Sequence, residues 1–208
     1  MNRVAIGRKF ARLATNAVVA RPRLWGLFRG AMQRQFDTLA PQWDELRSPG
    51  HLAAYEQALA ALPSAPERAL DIGTGTGDGA AAIARAFPHA SITGVDLADR
   101  MLEIARRKNE ALADRVRFEA ADAAQLPYPD ASFDLVAHAN MIPFFDEITR
   151  VLEPGGHALF AFSAGAETPI FVPFERLRSE LAQRGFTDFA EFTAEPTTAL
   201  LARKQASS

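Results

Sequence analysis

The chain has 208 residues, 48% of them hydrophobic, with 23 Lys and Arg against 25 Asp and Glu and no cysteine. A chain of that length and balance buries a core without staples and is neither disordered nor an ordinary membrane protein; the missing cysteine excludes disulfides, thiolate metal sites and a cysteine nucleophile. The net charge of −2 conceals a division, because residues 1–40 carry Arg3, Arg8, Lys9, Arg12, Arg21, Arg23, Arg29 and Arg34 against Asp37 alone, which leaves −9 for residues 41–208.

The basic front opens the chain. No apolar run approaches the ~20 residues that span a bilayer. The stretch Leu13–Ala20 is interrupted by Thr15 and Asn16 and is followed at once by Pro22 and two arginines, so a secretory leader is not expected and the default is a cytoplasmic protein. Leu24, Phe28, Met32 and Phe36 fall four apart and form a helical stripe, with Trp25 beside it and Arg23, Arg29 and Arg34 around it. A helix packed on the body with solvated arginines is the favoured reading. Peripheral contact with an anionic membrane surface is the sharper one, since a basic amphipathic helix is the device for it. Nucleic acid is a poor fit, because the body is acidic and no basic surface rich in aromatics accompanies the front.

From residue 68 the pattern becomes regular. Ala69–Ile72 reads as a strand ending in the turn Gly73-Thr74-Gly75-Thr76-Gly77, then a helix with Ala80, Ile83, Ala84 and Phe87 on one face, stopped by Pro88. Ser91–Asp96 is a second strand, and Asp99 is placed to cap the helix that carries Met101, Leu102, Ile104 and Ala105. Arg115–Glu119 and Phe133–Ala137 are the third and fourth strands, and Phe145, Ile148, Val151 and Leu152 mark a helix. Pro154-Gly155-Gly156 separates that helix from a fifth strand at His157–Ala164. Strands alternating with helices indicate a parallel α/β sheet. After a last helix with Val172, Phe174, Leu177 and Leu181, the runs Phe186–Thr193 and Thr197–Ala202 are linked too closely for anything but an antiparallel pair.

Such a fold binds nucleotide-type ligands at the carboxyl ends of its strands. The three glycines let the backbone turn tightly and approach a ligand, though Gly75, Gly77 and Ala80 equally satisfy the dinucleotide fingerprint with its permitted final alanine. The acids separate the readings. Asp71 ends strand one, Asp96 closes strand two and Asp122 lies just past strand three, and no Lys or Arg occupies the glycine turn. A phosphate would be repelled there and a cationic nucleoside favoured.

At these residues the chain resembles the class I S-adenosylmethionine-dependent methyltransferases of the small-molecule type. The anchors are Leu70–Gly77, Gly94–Leu102, Ala121-Asp122-Ala123, Phe133–Val136 and Arg150–Gly156, in order and at the family's spacing. The resemblance covers Phe36 to the C-terminus. It implies an α/β Rossmann-like, seven-stranded, mostly parallel sheet with an antiparallel C-terminal strand and a helical N-terminal extension. The expected division is a lid over 1–60 and a cofactor-binding methyltransferase domain over 61–208. The implied cofactor is S-adenosylmethionine. Asp71 and the turn residues Gly73, Thr74, Gly75 and Gly77 would hold its methionine end, Asp96 the ribose diol, Leu97 and Met101 the adenine faces, and Asp122 with the Ala123 backbone the adenine amino group. Asp134, in the Phe-Asp pair, reads as structural.

A sulfonium methyl is already electrophilic, so positioning of a small, apolar methyl acceptor is the main task. Any base would be a histidine: His138 after strand four is the first candidate, with His51, near Tyr55, behind it. Asn140 is placed to orient the acceptor. Relatives often carry paired histidines after strand four, whereas His138–Phe145 here is short and apolar. Phe36–Asp44 resembles the aromatic-Asp segment that relatives fold over the cofactor, making Phe36 and Trp43 lid candidates. No metal is expected. The competing readings are a cofactor-binding protein without catalysis and a nicotinamide-dependent oxidoreductase.

Overall fold

The computed structural model describes residues 3–206, with side chains from residue 7 onward; the Arg3 side chain and residues 1, 2, 207 and 208 of the expected domains lie outside the described residues. Seven strands form one sheet in the order β3-β2-β1-β4-β5-β7-β6: β1 (Arg68–Ile72), β2 (Ser91–Asp96), β3 (Val116–Ala120), β4 (Phe133–Ala139), β5 (Leu152–Phe162), β6 (Phe186–Ala194) and β7 (Thr197–Lys204). β1 to β5 pair in parallel, while β7 runs antiparallel to both β5 and β6. The expected hairpin is therefore present, and it is inserted so that β7 lies inside the sheet and β6 forms its edge.

The helices are α1 (Arg3–Ala20), α2 (Trp25–Leu39), α3 (Ala53–Ala60), α4 (Asp78–Ala86), α5 (Asp99–Lys108), α6 (Phe145–Val151) and α7 (Phe174–Ala182). The period-two alternation of strand side chains divides the core into two layers. On one face Leu70, Ile72, Val136, Phe160 and Leu200 pack with Ile148 of α6 and Leu177 and Leu181 of α7, and the front adds Ala14, Val18, Trp25 and Met32. On the other, Ala69, Ile92, Leu135 and Leu159 pack with Tyr55 and Leu59 of α3, Ile83 of α4 and Leu102 of α5. At roughly 1.5–3 kcal/mol for each fully buried large apolar side chain, these layers carry most of the favourable folding energy. The front is also tied by polar contacts. The Arg12 guanidinium donates to the carbonyls of Ala166 (2.9 Å) and Thr168 (2.8 Å), and Arg8 donates to that of Glu167 (2.8 Å).

Two local expectations are corrected. The fifth strand starts at Leu152, five residues before His157, because Gly155 at φ +86° lets Pro154-Gly155-Gly156 be absorbed into it. Asp99 is the first residue of α5 and caps nothing: Ala98 occupies the N-cap without a side-chain bond. The free amides there are met from elsewhere, with Ala98 N–H donating to Asp96 Oδ1 (2.9 Å) and Arg100 N–H to Asp37 Oδ1 (3.1 Å). Asp134 behaves as the structural acid its sequence position suggested, its carboxylate accepting from the Glu67 and Arg68 amides at 2.7–3.1 Å and bracing the entry to β1.

Candidate functional site

The chain order reverses between β1 and β4, and the crevice at the carboxyl ends of these strands opens into a cavity of about 750 Å3, counting the space that meets solvent. One wall comes from the body. Gly73, Gly75, Asp96, Leu97, Met101 and Ala123 line it. Gly73 and Gly75 stand at φ +66° and +55°, in the left-handed region that favours glycine. A Cβ on Gly75 would lie 3.3 Å from Trp43 Nε1 and from an Arg47 guanidinium nitrogen, so the bare backbone is what leaves the lip of the cavity open.

Asp96 is the carboxylate that faces this space. Gly75 N–H donates to its Oδ2 and Ala98 N–H to its Oδ1, each at 2.9 Å. Burial raises its pKa above the ordinary carboxylate value, against the lowering effect of these amides. Two of its roughly four lone-pair sites are thereby used, which leaves acceptor capacity toward the cavity.

Asp71, Thr74 and Gly77 belong to the layer beneath and do not line the cavity. Asp71 is 2% exposed and accepts from the Thr74 hydroxyl (2.6 Å). Gly79 packs directly over it, since a Cβ there would come within 2.8 Å of both its oxygens. Burial pushes the Asp71 carboxyl up to about 7, opposed by the Thr74 hydroxyl and the Ala80 amide. Its work is to hold the turn in shape. Gly77, at φ +87°, faces Asn109 and Phe118, where a Cβ would lie 2.5 and 2.9 Å away.

The opposite wall comes from the front and from the loop after β4. Trp25, Met32, Gln33 and Phe36 project from α2, Trp43 and Arg47 from the segment after it, and Asn140, Met141 and Ile142 from beyond β4. Phe36 and Trp43 meet edge to face at 5.5 Å, and Arg47 lies over the Trp43 ring at 5.2 Å. Trp43 Nε1 is buried without a hydrogen-bond partner. Asn140 stands at φ +56°, its amide N–H donating to the Ala161 carbonyl and its Oδ1 accepting from the Ser163 N–H, both at 2.9 Å. A non-glycine residue in the left-handed region beside a cavity is a mark of a constrained site.

The segment after α2 is fastened onto the glycine turn by charge. Asp78, the first residue of α4, pairs with Arg47, with Lys108 (2.6 Å) and with His51 Nε2 (3.4 Å). Burial pushes its carboxyl up, but the neighbouring His51 ring, the Lys108 ammonium and the Arg47 charge outweigh that and hold it well below the usual range. Asp44 joins from the other side, accepting from the Thr76 hydroxyl (2.6 Å) and from Lys108 (2.7 Å).

Several expected site residues lie elsewhere. His138, the expected base, is 1% exposed in the core beside Phe160 (4.7 Å between ring centres), with neither ring nitrogen partnered. Burial lowers it to about 3, so the site that would have to hold an abstracted proton disfavours the protonated form. His51 belongs to the Asp78 cluster, and Tyr55 is fully buried among the residues of α3 and β1, its hydroxyl raised by burial and by the neighbouring Asp71 charge. Asp122 does not line the cavity, although Ala121 and Ala123 on either side of it do. Reading the sequence missed Trp25 and Arg47 as site residues. The signal for Arg47 was available: it follows Trp43 by four residues, the spacing that places two side chains on one helical face.

The group implied by the sequence fits this cavity on its own chemistry. A glycine cradle admits backbone approach, Asp96 can accept from a diol, Leu97 and Met101 supply apolar faces, and Arg47 is the one cation among the described lining residues. Fold and cavity together define a doubly wound α/β protein with a nucleoside-sized cavity at its topological switch point. Comparison with known proteins agrees. Residues 69–156 match the family described as "Methyltransferase domain". The chain is 41% identical over 138 residues to the demethylmenaquinone methyltransferase of Deinococcus radiodurans, covering 61% of this chain and 57% of that one. It is 36% identical over 162 residues to the ubiquinone/menaquinone biosynthesis C-methyltransferase UbiE of Geotalea daltonii, covering 70% and 67%. A solved putative S-adenosylmethionine-dependent methyltransferase from Methanococcus maripaludis shares the fold, with a TM-score of 0.67 at 18% identity over 85% of this chain and 94% of that one. The chain belongs to the class I S-adenosylmethionine-dependent methyltransferases. It spans a little over half the length of the Deinococcus relative.

Proposed function

We propose that the chain transfers a methyl group from S-adenosylmethionine to a small, apolar, ring-bearing acceptor of the quinol type. The observation that carries this reading is the contrast across the cavity, with glycine backbone and Asp96 on one wall and Trp25, Met32, Phe36, Met141 and Ile142 on the other. The relatives named for demethylmenaquinone and ubiquinone/menaquinone biosynthesis support the same acceptor class.

When bound, S-adenosylmethionine supplies an electrophilic sulfonium methyl. In this reading Asp96 accepts the ribose hydroxyls, Leu97 and Met101 border the adenine, the bare backbone of Gly73 and Gly75 lies against the amino-acid tail, and Arg47 pairs its carboxylate. Phe36 and Trp43 close over the site and exclude water. The aromatic and sulfur side chains of the far wall hold the acceptor ring in line with the methyl–sulfur bond, an orientation effect worth up to about 7–11 kcal/mol. Asp96 and Arg47 are the titratable groups among the described lining residues, and both have partners. That favours an acceptor acidic enough to reach its nucleophilic anion without a dedicated base, as a quinol is. Transfer to a ring carbon forms the carbon–methyl bond, leaves the sulfur with the electron pair, and releases the ring proton to solvent.

Residues 1–60 serve in this reading as the acceptor-side lid and 61–208 as the cofactor domain of a cytoplasmic enzyme. Peripheral membrane contact belongs to the front. Leu13 of α1 and Leu27 of α2 are 62% and 77% exposed, and Arg8, Lys9, Arg21, Arg23 and Arg34 of the same two helices and their connection are exposed too, an apolar and basic composition of the kind that interfacial segments use. No helix among the described residues is long and apolar enough to cross a membrane.

The test supplies methyl-labelled S-adenosylmethionine with reduced demethylmenaquinone. Label in the quinone ring is expected. Binding of S-adenosylhomocysteine without transfer would leave a cofactor-binding protein, and binding of NAD alone would overturn the assignment. For the membrane contact, Leu13→Ser with Leu27→Ser should lower co-sedimentation with anionic vesicles. Equal sedimentation of both forms rejects it.

A further inference from the structure

The resemblance assigns Asp122 to the adenine amino group, but the geometry points to a different use: we propose that Asp122 is a positioning residue that seats α2, and through it the acceptor wall, over the cavity. Its Oδ1 accepts from the Trp25 indole N–H at 2.8 Å and from the Ala124 amide at 3.0 Å, and its Oδ2 pairs with Arg29 Nε at 3.1 Å. Trp25 and Arg29 are four residues apart and so leave the same face of α2. Both lone pairs of Oδ1 are taken by protein donors.

The indole bond fixes more than an ion pair does. Arg29 is half exposed, and an exposed pair contributes little. Trp25 is 7% exposed, with its ring edge to face on Phe144 at 5.3 Å. A buried indole N–H deprived of its acceptor is costly, so Asp122 sets where that ring can rest. From this contact α2 runs on for two turns to Met32 and three to Phe36, both in the cavity wall. Its far end is fastened as well, by Asp37 Oδ1 accepting from the Arg100 amide at 3.1 Å. The helix is thus pinned to the loop after β3 at one end and to α5 at the other. The first pin takes both lone pairs of one oxygen, and one of the other, in the carboxylate that the family pattern reserves for adenine.

The inference rests on the cofactor reading only for its binding probe. Amide hydrogen exchange in residues 25–39 and calorimetry with S-adenosylhomocysteine test it on the full chain. Asp122→Ala and Trp25→Phe should each speed exchange across residues 25–39 at least tenfold while changing the affinity for S-adenosylhomocysteine less than threefold. Asp122→Asn, which keeps an oxygen for the indole, should restore slow exchange. Unchanged exchange in both variants overturns the proposal. So does a tenfold loss of affinity in Asp122→Ala that Trp25→Phe does not share. If Asp122→Ala fails to fold, Trp25→Phe combined with Arg29→Ala leaves the carboxylate in place and carries the same expectation. A wild-type chain that does not bind S-adenosylhomocysteine breaks the proposed function and leaves the exchange result to decide this point alone.

Discussion

The two walls of the cavity are built on opposite principles. The body wall is main chain, small residues and one carboxylate, shaped from beneath by buried groups such as Asp71 and Thr74 that never reach the ligand space. The front wall is large aromatic and sulfur side chains hung from α2 and the segment after it, and that scaffold touches the body through hydrogen bonds and charges as well as through packing. A backbone-built wall tolerates little change because its shape is its function. A side-chain wall on a separately fastened scaffold can be rebuilt residue by residue, which would suit the half of the site that the proposed function gives to the acceptor.

The sharpest way to break the contrast is at the glycines. Gly77→Ala puts a Cβ 2.5 Å from Asn109 Nδ2 at φ +87° and should cost about 2–4 kcal/mol of stability by urea unfolding, combining left-handed strain with overpacking. A cost below 1 kcal/mol would mean that the turn is softer than the body wall requires. Next, His138→Leu should flatten the acid limb of the stability curve. The buried His138 is held neutral to about 3, whereas in the unfolded chain it takes up a proton below about 6.5. The unfolded state therefore binds more protons in between, and stability falls as pH drops through that window. Wild type should lose about 1–2 kcal/mol more than His138→Leu between pH 7.5 and 5. The raised Asp71 runs the other way, losing stability as pH rises from about 4 to 7, but it is common to both proteins and cancels in the comparison. Asp96→Ala should weaken S-adenosylhomocysteine at least tenfold, about 1.4 kcal/mol; an unchanged affinity with an intact fold removes Asp96 from the cofactor site. The smallest effect belongs to the front. In Gly30→Ala the nearest atom to the new Cβ is a flexible Arg34 nitrogen at 3.4 Å, so the helix should gain about 0.5–1 kcal/mol, and a loss there would show that this face of α2 has no room for a methyl group.

Most of the body was legible in the chain order. The glycine turn, the acids at strand ends and the closing hairpin follow from local rules about positive φ, periodicity and loop length, and each was found within a few residues. The burial of His138 escaped because the fourth strand was expected to end at Ala137, whereas it runs on to Ala139 and holds His138 inside a central strand of the sheet. The pairing of Asp122 with the front escaped for a different reason. Its partner Trp25 is 97 residues away, and no local pattern announces that a helix from the front will take a carboxylate at the end of β3. Trp25 was visible beside an apolar stripe, but a stripe does not say which ring edge meets a cavity.

Asp78 has a consequence for how the molecule answers its surroundings. Arg47, His51 and Lys108 converge on that one carboxylate, and two of the three come from the segment that also carries Trp43 across the glycine turn. Dissolved ions compete for such partners, and at physiological ionic strength charges in contact with water already lose their reach beyond about 8 Å. The contacts on Asp78 are far shorter than that and its carboxylate is only one-fifth exposed, so they are screened much less than charges in open water: the clasp over the glycine turn is the kind that a change of medium reaches last.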